Sequence, residues 1–262
     1  MVFKIVLVAV CFTFAVSATS EIAQPRIAGG TPVPVEQYPY VSAFVYYYPR
    51  PDLWVQRCAG TIVSSWHVIT SAFCFTGATL PNYRIRGGST YSMNGGQVVS
   101  IREVVKHPEF VETPRKNDIA VVILQEVFRL SGSLNIMYLP PKNIDIPNGI
   151  PATVVSWGFE SEQGPIHNSL MAITLTTVPL EQCQQIYADD ADIKINEAVI
   201  CANAANSGVC SGDMGAPLVS GGVLIGVASN HKGCGSQNYP DVFTRIDAYV
   251  DWIMEVAVAP SS

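Results

Sequence analysis

The sequence has no basic patch and no glycosylation sequon. Its formal net charge is −6, only 14% of its 262 residues are charged, and acidic and basic side chains are scattered along the chain. Nucleic acids are bound through clustered Lys and Arg side chains, so this distribution argues against a nucleic-acid partner. The absence of any Asn-x-Ser/Thr triplet means that N-glycosylation is not expected.

Long apolar runs are absent except at the amino terminus. Residues 1–18 combine a charged start at Lys4, an apolar stretch over 5–15 and a small residue, Ala18, at the end. This pattern predicts a signal peptide. The alternative is a membrane anchor, but the run is shorter than the roughly 20 residues that a span needs. We therefore expect a secreted protein without membrane attachment.

Zinc-type cysteine spacings are also absent. The chain has seven cysteines, and removal of the signal peptide takes Cys11 with it and leaves an even six. In an oxidising compartment six cysteines indicate a disulfide framework, for which counting alone allows 15 pairings.

Long helical repeats are missing, whereas Gly and Pro are plentiful, with 20 and 18 copies. Short apolar runs separated by turn residues predict a many-stranded β domain. Short helices are expected over 180–187 and 249–258. The predicted strands cover 40–47, 61–63, 68–71, 98–105, 120–124, 153–155, 170–176, 199–202, 223–229 and 242–246.

One segment carries a specific motif. Cys210-Ser211 is followed by Gly212-Asp213-Met214-Gly215-Ala216-Pro217-Leu218. The segment resembles the Gly-Asp-Ser-Gly-Gly-Pro signature of the chymotrypsin-like (S1 family) serine proteases. In that comparison Met214 stands where the attacking serine is expected.

Two further blocks carry the same resemblance. The run from Cys58 to Cys74 ends in Thr70-Ser71-Ala72-Phe73-Cys74, where the family has Thr-Ala-Ala-His-Cys. The block Asn117-Asp118-Ile119-Ala120 matches the family's Asp-Ile-Ala-Leu. The resemblance therefore keeps the orienting carboxylate, Asp118, and replaces the general base by Phe73.

These replacements predict an inactive site. A serine hydroxyl needs a neighbouring imidazole to take its proton, and the same imidazole later protonates the leaving amine. Phenylalanine does neither, and a thioether has no proton to lose. Removing such groups costs about a million-fold in turnover in a comparable triad. Gly212 and Met214 keep backbone N–H groups at the oxyanion positions, but we expect the Met214 side chain to project into the space of a scissile carbonyl.

The resemblance also implies the architecture. It covers residues 27–262 and implies two six-stranded antiparallel β-barrels, approximately 27–135 and 136–262, with a short C-terminal helix and the former active site between the barrels. It selects three disulfides: Cys58 with Cys74, Cys183 with Cys201, and Cys210 with Cys234.

An activation site is implied by Arg26-Ile27-Ala28-Gly29-Gly30, which resembles the family's Arg-Ile-Val-Gly-Gly. Residues 19–26 would then form a propeptide. Cleavage after Arg26 would free the Ile27 amino group to pair with Asp213 and make the cleaved form more rigid, since stranding one partner of a buried ion pair is costly. The alternative is an inherited site that is never cut.

The specificity pocket differs from the family pattern. The family's Ser-Trp-Gly, whose backbone pairs with substrate, is matched to Ala228-Ser229-Asn230, and Asn230 is expected to narrow the pocket mouth. Gly208 takes the place of the basal aspartate of trypsins. Asp241 replaces a wall glycine and would either obstruct the pocket or attract a basic side chain.

Asp118 is expected to be poorly paired. In the family its carboxylate accepts hydrogen bonds from the imidazole and from a serine, which this alignment replaces by Phe73 and Ala228. A buried carboxylate without partners favours its protonated form, so we predict a raised pKa or an intruding water.

No replacement base or cofactor is predicted. His67, His107, His167 and His231 are not spaced to substitute for Phe73 or to form a metal pair. The loop after Cys74 lacks the acidic ligands of a calcium site. We expect neither metal nor cofactor.

The resemblance thus implies a secreted, monomeric serine protease homologue without catalytic activity, in a digestive lumen or body fluid. It would bind proteins or peptides, such as protease inhibitors or active proteases, and the aromatic run Tyr46-Tyr47-Tyr48 with Trp54 could supply contacts or simply line a strand. The rival hypothesis is an active hydrolase that uses Ser211 or Ser71, and a third is a storage or carrier protein.

Overall fold

The computed structural model describes residues 29–159, 161–162, 164 and 168–259. The predicted signal peptide and propeptide, Ile27 of the activation site and His167 lie outside this part of the chain. The described residues are mostly β-structure in two sheets, with two short α-helices and several 3-10 turns. None of their helices is long and apolar enough to cross a membrane.

The first sheet is built from seven antiparallel strands in the order β6-β5-β2-β3-β4-β8-β7. Apolar and polar residues alternate along its strands, as in β5, where Tyr83 and Ile85 are buried and Arg84 and Arg86 are partly exposed. This period of two directs one face of the sheet into a barrel-like core. The strands are β2 Val41–Tyr48, β3 Leu53–Ile62, β4 His67–Thr70, β5 Tyr83–Gly87, β6 Gln97–Val99, β7 Ile101–Lys106 and β8 Ala120–Leu124.

The second sheet closes into a barrel of six strands, because β9 pairs with both β10 and β12. The strands are β9 Pro151–Ser156, β10 Met171–Val178, β11 Val199–Asn203, β12 Pro217–Ser220, β13 Val223–Asn230 and β14 Asp241–Arg245. The two helices, α1 Leu180–Ile186 and the C-terminal α2 Val250–Val256, lie where the sequence predicts them. The expected all-β fold of two barrel-like sheets is confirmed, although the first sheet has seven strands and no closing pair among the described residues.

A short strand at the beginning of the described chain belongs to the second sheet, although the strands that follow it form the first. Strand β1, Thr31–Pro32, pairs with Met171 and Ala172 of β10 in the second sheet. The first seven strands after it all belong to the other sheet. The amino-terminal segment therefore ties the second barrel to the start of the first.

Three disulfides cross-link the described part of the chain. Cys58–Cys74, Cys183–Cys201 and Cys210–Cys234 all form, as the resemblance implies. The first lies beside an aromatic core in which the ring of Tyr83 contacts Phe44 and Phe75 at 6.3 and 5.2 Å. The Tyr83 hydroxyl also donates a hydrogen bond to the Cys74 carbonyl, so the core holds the segment that carries Phe73.

The two sheets meet at a backbone junction. The N–H of Ala59 on β3 donates to the Met214 carbonyl at 2.8 Å, and the Thr70 hydroxyl donates to the Ala59 carbonyl at 2.7 Å. Gly215 lies against both groups with a φ of +86°. A Cβ at this position would overlap the Ala59 oxygen and the Thr70 hydroxyl, so only glycine permits this approach.

We predict that Gly215→Ala destabilises the protein by more than ~2 kcal/mol, because the new methyl group meets backbone as well as a strained φ. The matched control is Gly77→Ala, since Gly77 also has a positive φ, +64°, but has open space around it. Equilibrium denaturant unfolding measures both. A loss of unfolding free energy for Gly215→Ala no larger than that for Gly77→Ala would contradict the close approach of the two backbones at Gly215.

Candidate active site

The loop from Cys210 to Gly215 is held in one conformation by its own backbone. Gly212 has a φ of +91°, which side-chain-bearing residues rarely adopt. The N–H of Asp213 donates to the Cys210 carbonyl at 3.1 Å. The Asp213 carboxylate is 1% exposed and accepts from the N–H groups of Gly158 and Cys210 at 2.8 and 2.9 Å. Burial raises the pKa of Asp213 to about 6.

Asp118 is fully engaged with protein donors, and the prediction that it lacks partners is wrong. The Ser71 hydroxyl lies 2.8 and 2.7 Å from its two carboxylate oxygens. The Ser229 hydroxyl donates at 2.7 Å and the Phe73 N–H at 2.9 Å. Burial still raises the pKa of Asp118, whereas these hydrogen bonds and the charge of Arg115 lower it. The predicted direction is confirmed, but its cause is burial and not a missing partner.

The serine that reaches Asp118 is Ser229, so the alignment of Ala228 with the family's serine is wrong by one residue. Strands β13 and β14 shift register between Ala228 and Asn230. The shift turns the Ser229 side chain toward Asp118, while Ala228 is completely buried in the apolar core. Asn230 consequently moves to the wall of the cleft, where its side-chain oxygen accepts from the His231 N–H at 2.9 Å.

Phe73 lies between Asp118 and the cleft. It belongs to a 3-10 turn, Ala72–Phe75, that follows β4 and is tied down by the Cys58–Cys74 disulfide. The guanidinium carbon of Arg115 lies 3.7 Å from the centre of the Phe73 ring. An aromatic ring and a cation in this arrangement attract one another.

The cleft itself is a cavity of about 300 Å³. Phe73 and Met214 both line it, so the fold brings these two sequence-predicted positions together. Asp118 does not line it, since it lies behind Phe73. The other lining residues are Arg57, Cys58, Cys74, Arg115, Ser211, Gly212, Asn230 and His231.

Met214 lines the cleft but is only 7% exposed, and it belongs to the apolar cluster that also contains Ala59, Ala72 and Ala228. That its side chain enters the space of a scissile carbonyl stays a prediction.

The pocket positions Gly208 and Asp241 contact each other instead of the cavity. Asp241 is 3% exposed and accepts from the Val209 N–H at 2.7 Å. A Cβ on Gly208 would lie 2.6 Å from the Asp241 carboxylate, so that carboxylate occupies the space beside Gly208. Burial raises the pKa of Asp241 well above its usual value. This arrangement favours the obstructed-pocket alternative.

The described histidines do not contact Asp118. His67 bonds to Ser64 and to the Val258 carbonyl, and His107 packs against Tyr249 and Trp252. His231 lines the cleft, and burial lowers the pKa of its imidazole. In residues 29–159 and 168–259 together with the three isolated positions, no cluster of His, Cys, Asp and Glu could hold a metal ion.

Sequence reasoning missed Arg57 and Arg115. Arg57 directly precedes Cys58, and Arg115 lies three residues before Asp118. The signal that could have found them is a basic residue beside each motif that the resemblance places at the cleft. Apart from Asn230, the proposed pocket residues do not line this cavity.

Comparisons with known proteins agree on one family. The trypsin family model matches residues 27–253. Trypsin delta of Drosophila erecta is 31% identical over 239 residues, covering 88% of both chains. The vitellin-degrading protease of Bombyx mori is 28% identical over 252 residues, covering 94% of this chain and 92% of that one. The solved human heparin binding protein has the same fold, with a TM-score of 0.76 at 24% identity, covering 90% of this chain and all of that one.

We predict that Ser229→Ala destabilises the protein by about 2 kcal/mol, because it removes a hydroxyl donor from a buried carboxylate. Ser220→Ala is the matched control, since the Ser220 hydroxyl donates at the same 2.7 Å distance to a carbonyl, Pro151, at an exposed site. Thermal or denaturant unfolding at pH 7 compares the two. Equal losses of unfolding free energy in the two variants would show that the bond from Ser229 to Asp118 stabilises the fold no more than an exposed hydrogen bond does.

The raised pKa of Asp213 predicts a pH-dependent stability. Between about pH 4 and 6 the folded chain keeps a proton that the unfolded chain releases, so the stability from this group is present below that range and falls as the pH rises through 6. The unfolding free energy of the uncleaved protein relative to Asp213→Asn should decline by about 3 kcal/mol across this range. Chemical denaturation at each pH measures it, and a flat difference would contradict the prediction.

Cleavage after Arg26 should remove this fall in stability with rising pH, if the Ile27 ammonium pairs with Asp213 as the resemblance implies. The ion pair would lower the pKa of Asp213 and remove the loss above pH 4. Carbamylation of the new amino terminus is the control. Unchanged stability and unchanged order of the 210–215 loop after carbamylation would exclude the pairing.

Proposed function

The chain belongs to the trypsin family of serine endopeptidases, and within this family we propose that it is a secreted, non-catalytic homologue that binds protein or peptide ligands. Protease inhibitors and active proteases are the ligands that the family relationship favours. The three disulfides fit an oxidising, extracellular compartment. We propose that it acts as a monomer without metal or cofactor.

The observation that carries this proposal is the environment of Asp118. Three protein groups, Ser71, Ser229 and the Phe73 N–H, occupy its two oxygens. Phe73 both bonds to Asp118 through its N–H and lines the cleft, and its ring can neither accept nor donate a proton. A carboxylate in this setting has no imidazole to orient, so general base catalysis has no agent.

The two alternative nucleophiles, Ser71 and Ser211, differ in burial and in hydrogen bonding. Ser71 is completely buried and its hydroxyl is committed to Asp118, so it cannot reach a substrate in the cleft. Ser211 is exposed and lines the cleft. Its hydroxyl forms no bond to an imidazole or carboxylate among the described residues, which leaves it without an activating base.

A binding role needs a stable scaffold and an open site, and both are present. The Cys58–Cys74 disulfide, both of whose cysteines line the cleft, and the backbone junction between Ala59 and Met214 hold its walls. The cavity of about 300 Å³ lies at the lower end of the size of ligand sites. The relatives are named as trypsins and as a protease, so proteolysis through Ser211 is the alternative that the experiment addresses.

Labelling with a fluorophosphonate probe tests the proposal. We expect no labelling of the Arg26-cleaved protein, because no activated serine faces the cleft. The variant Phe73→His with Met214→Ser restores both groups and should gain labelling, since Asp118 is already in place to orient an imidazole. Each single variant should stay unlabelled, and active trypsin is the positive control.

The outcomes separate the hypotheses clearly. Stoichiometric labelling of the unchanged protein that disappears in Ser211→Ala would establish the active hydrolase and refute the binding role. Labelling that is confined to the double variant would support a cleft whose geometry is preserved and whose chemistry is missing.

A further inference from the structure

Two arginines line the cleft of this acidic protein. Arg57, Arg115 and His231 are its ionisable side chains, and no carboxylate lines it, although the whole chain has a net charge of −6. Charge of one sign in a concave site with low-dielectric walls focuses the potential there. The cavity therefore favours a negatively charged ligand.

Among the described residues neither arginine lies within ion-pair distance of a carboxylate, although the charges of Asp118 and Glu112 act on Arg115 from further away. One nitrogen of Arg57 donates to the Thr76 carbonyl at 2.9 Å, and its guanidinium lies over the Tyr46 ring. Arg115 donates to the Ser229 carbonyl, and its Nε is buried without a partner. A guanidinium has five N–H donors, so both side chains keep donors for a ligand.

Two backbone donors add to this set. The N–H groups of Gly212 and Met214 have no acceptor among the described residues, whereas those of Asp213 and Gly215, between and after them, donate to Cys210 and Ala228. Met214 is buried and Gly212 partly buried. Both residues line the open cleft, so their N–H groups are available to an acceptor from solvent or from a ligand. They are the oxyanion positions that the resemblance implies, and backbone N–H donors of this kind stabilise negative charge.

Arg115 also changes how a peptide can bind. The resemblance implies that the backbone of the Ser229 region pairs with an extended substrate strand. Here the Ser229 carbonyl already accepts a hydrogen bond from Arg115, which is itself held over the Phe73 ring. A carbonyl oxygen has two lone pairs, so an extended strand would share this acceptor with Arg115, whereas a single anionic group uses the remaining donors of Arg115.

We propose that this cleft binds the carboxylate of a peptide or protein ligand, through the N–H groups of Gly212 and Met214 and the guanidinium groups of Arg57 and Arg115. The inference rests on the proposed binding function and specifies its ligand chemistry. Guanidinium and carboxylate form short, charge-assisted hydrogen bonds. The carboxylate is that of an acidic side chain or of a chain terminus, and the experiment distinguishes these two sources.

The test is a titration of the ¹⁵N-labelled, disulfide-bonded protein with three short peptides, followed by NMR. The first is acetyl-Gly-Gly-Glu-amide, with a side-chain carboxylate only. The second is acetyl-Gly-Gly-Gly with a free carboxyl terminus, and the third, acetyl-Gly-Gly-Gln-amide, is the neutral control. The amide resonances of Gly212 and Met214 and the Nε–H resonances of the arginines report the site directly.

We expect one or both carboxylate peptides to shift the Gly212 and Met214 resonances, and the glutamine peptide to leave them unchanged. Arg57→Gln should weaken carboxylate binding about tenfold, because it removes a charge-assisted donor. Arg102→Gln is the matched control, since Arg102 is an exposed residue of β7 outside the cleft, and it should bind as the unchanged protein does. Binding should also weaken with rising salt.

Shifts with the glutamate peptide alone identify a side-chain ligand, and shifts with the free terminus alone identify a chain end. Equal shifts with all three peptides, or none up to millimolar concentration, would overturn the inference. An equal loss of affinity in Arg57→Gln and Arg102→Gln would do so as well. If Arg57→Gln is misfolded, the peptide comparison and the salt dependence in the unchanged protein still decide.

This test and the fluorophosphonate test fail independently. An unlabelled protein whose amides do not shift keeps the proposed binding function and loses the carboxylate site. A labelled protein whose amides do shift keeps the carboxylate site and loses the non-catalytic role.

Discussion

The buried carboxylate of Asp118 is the constraint on which the geometry of the cleft depends. An unpaired carboxylate in this position would cost several kcal/mol, and the fold avoids that cost by directing donors from both sheets toward it. Ser71 and the Phe73 N–H come from the first sheet and the Ser229 hydroxyl from the second. The Thr244 hydroxyl of β14 also donates to the Asp118 carbonyl at 2.8 Å. The same residue therefore fixes the relative position of the two walls.

Without an imidazole at position 73, the Asp118 carboxylate has no base to orient, and a catalytic role does not explain why it is present. The hydrogen bonds around Asp118 supply another reason, which is structural. They hold the backbone at Phe73 and Ser229, and Arg115 then spans these two residues by stacking on one and donating to the carbonyl of the other. These hydrogen bonds hold the shape of the cleft whether or not an imidazole is present, because Asp118 is also a structural link between its walls.

The loop from Cys210 to Gly215 also keeps its backbone geometry independently of its side-chain chemistry. The positive φ of Gly212 and the Asp213 hydrogen bonds set the direction of the backbone irrespective of which side chain follows. Met214 occupies the nucleophile position of the motif, but its side chain packs into the core. Backbone donors and two arginines line the cavity, and they are the basis of the proposed carboxylate site.

The motifs alone predicted the family, the two-barrel architecture, the three disulfides and the positions of Phe73, Asp118 and Met214, because these follow from short, specific segments and their spacing. The tertiary structure decided what those motifs could not. The register shift between Ala228 and Asn230 places Ser229 on Asp118, and such a bulge leaves no mark in a residue count. Arg57 and Arg115 each stand beside a motif in the sequence, but only the fold shows that both line the same cavity, because segments far apart in sequence converge there.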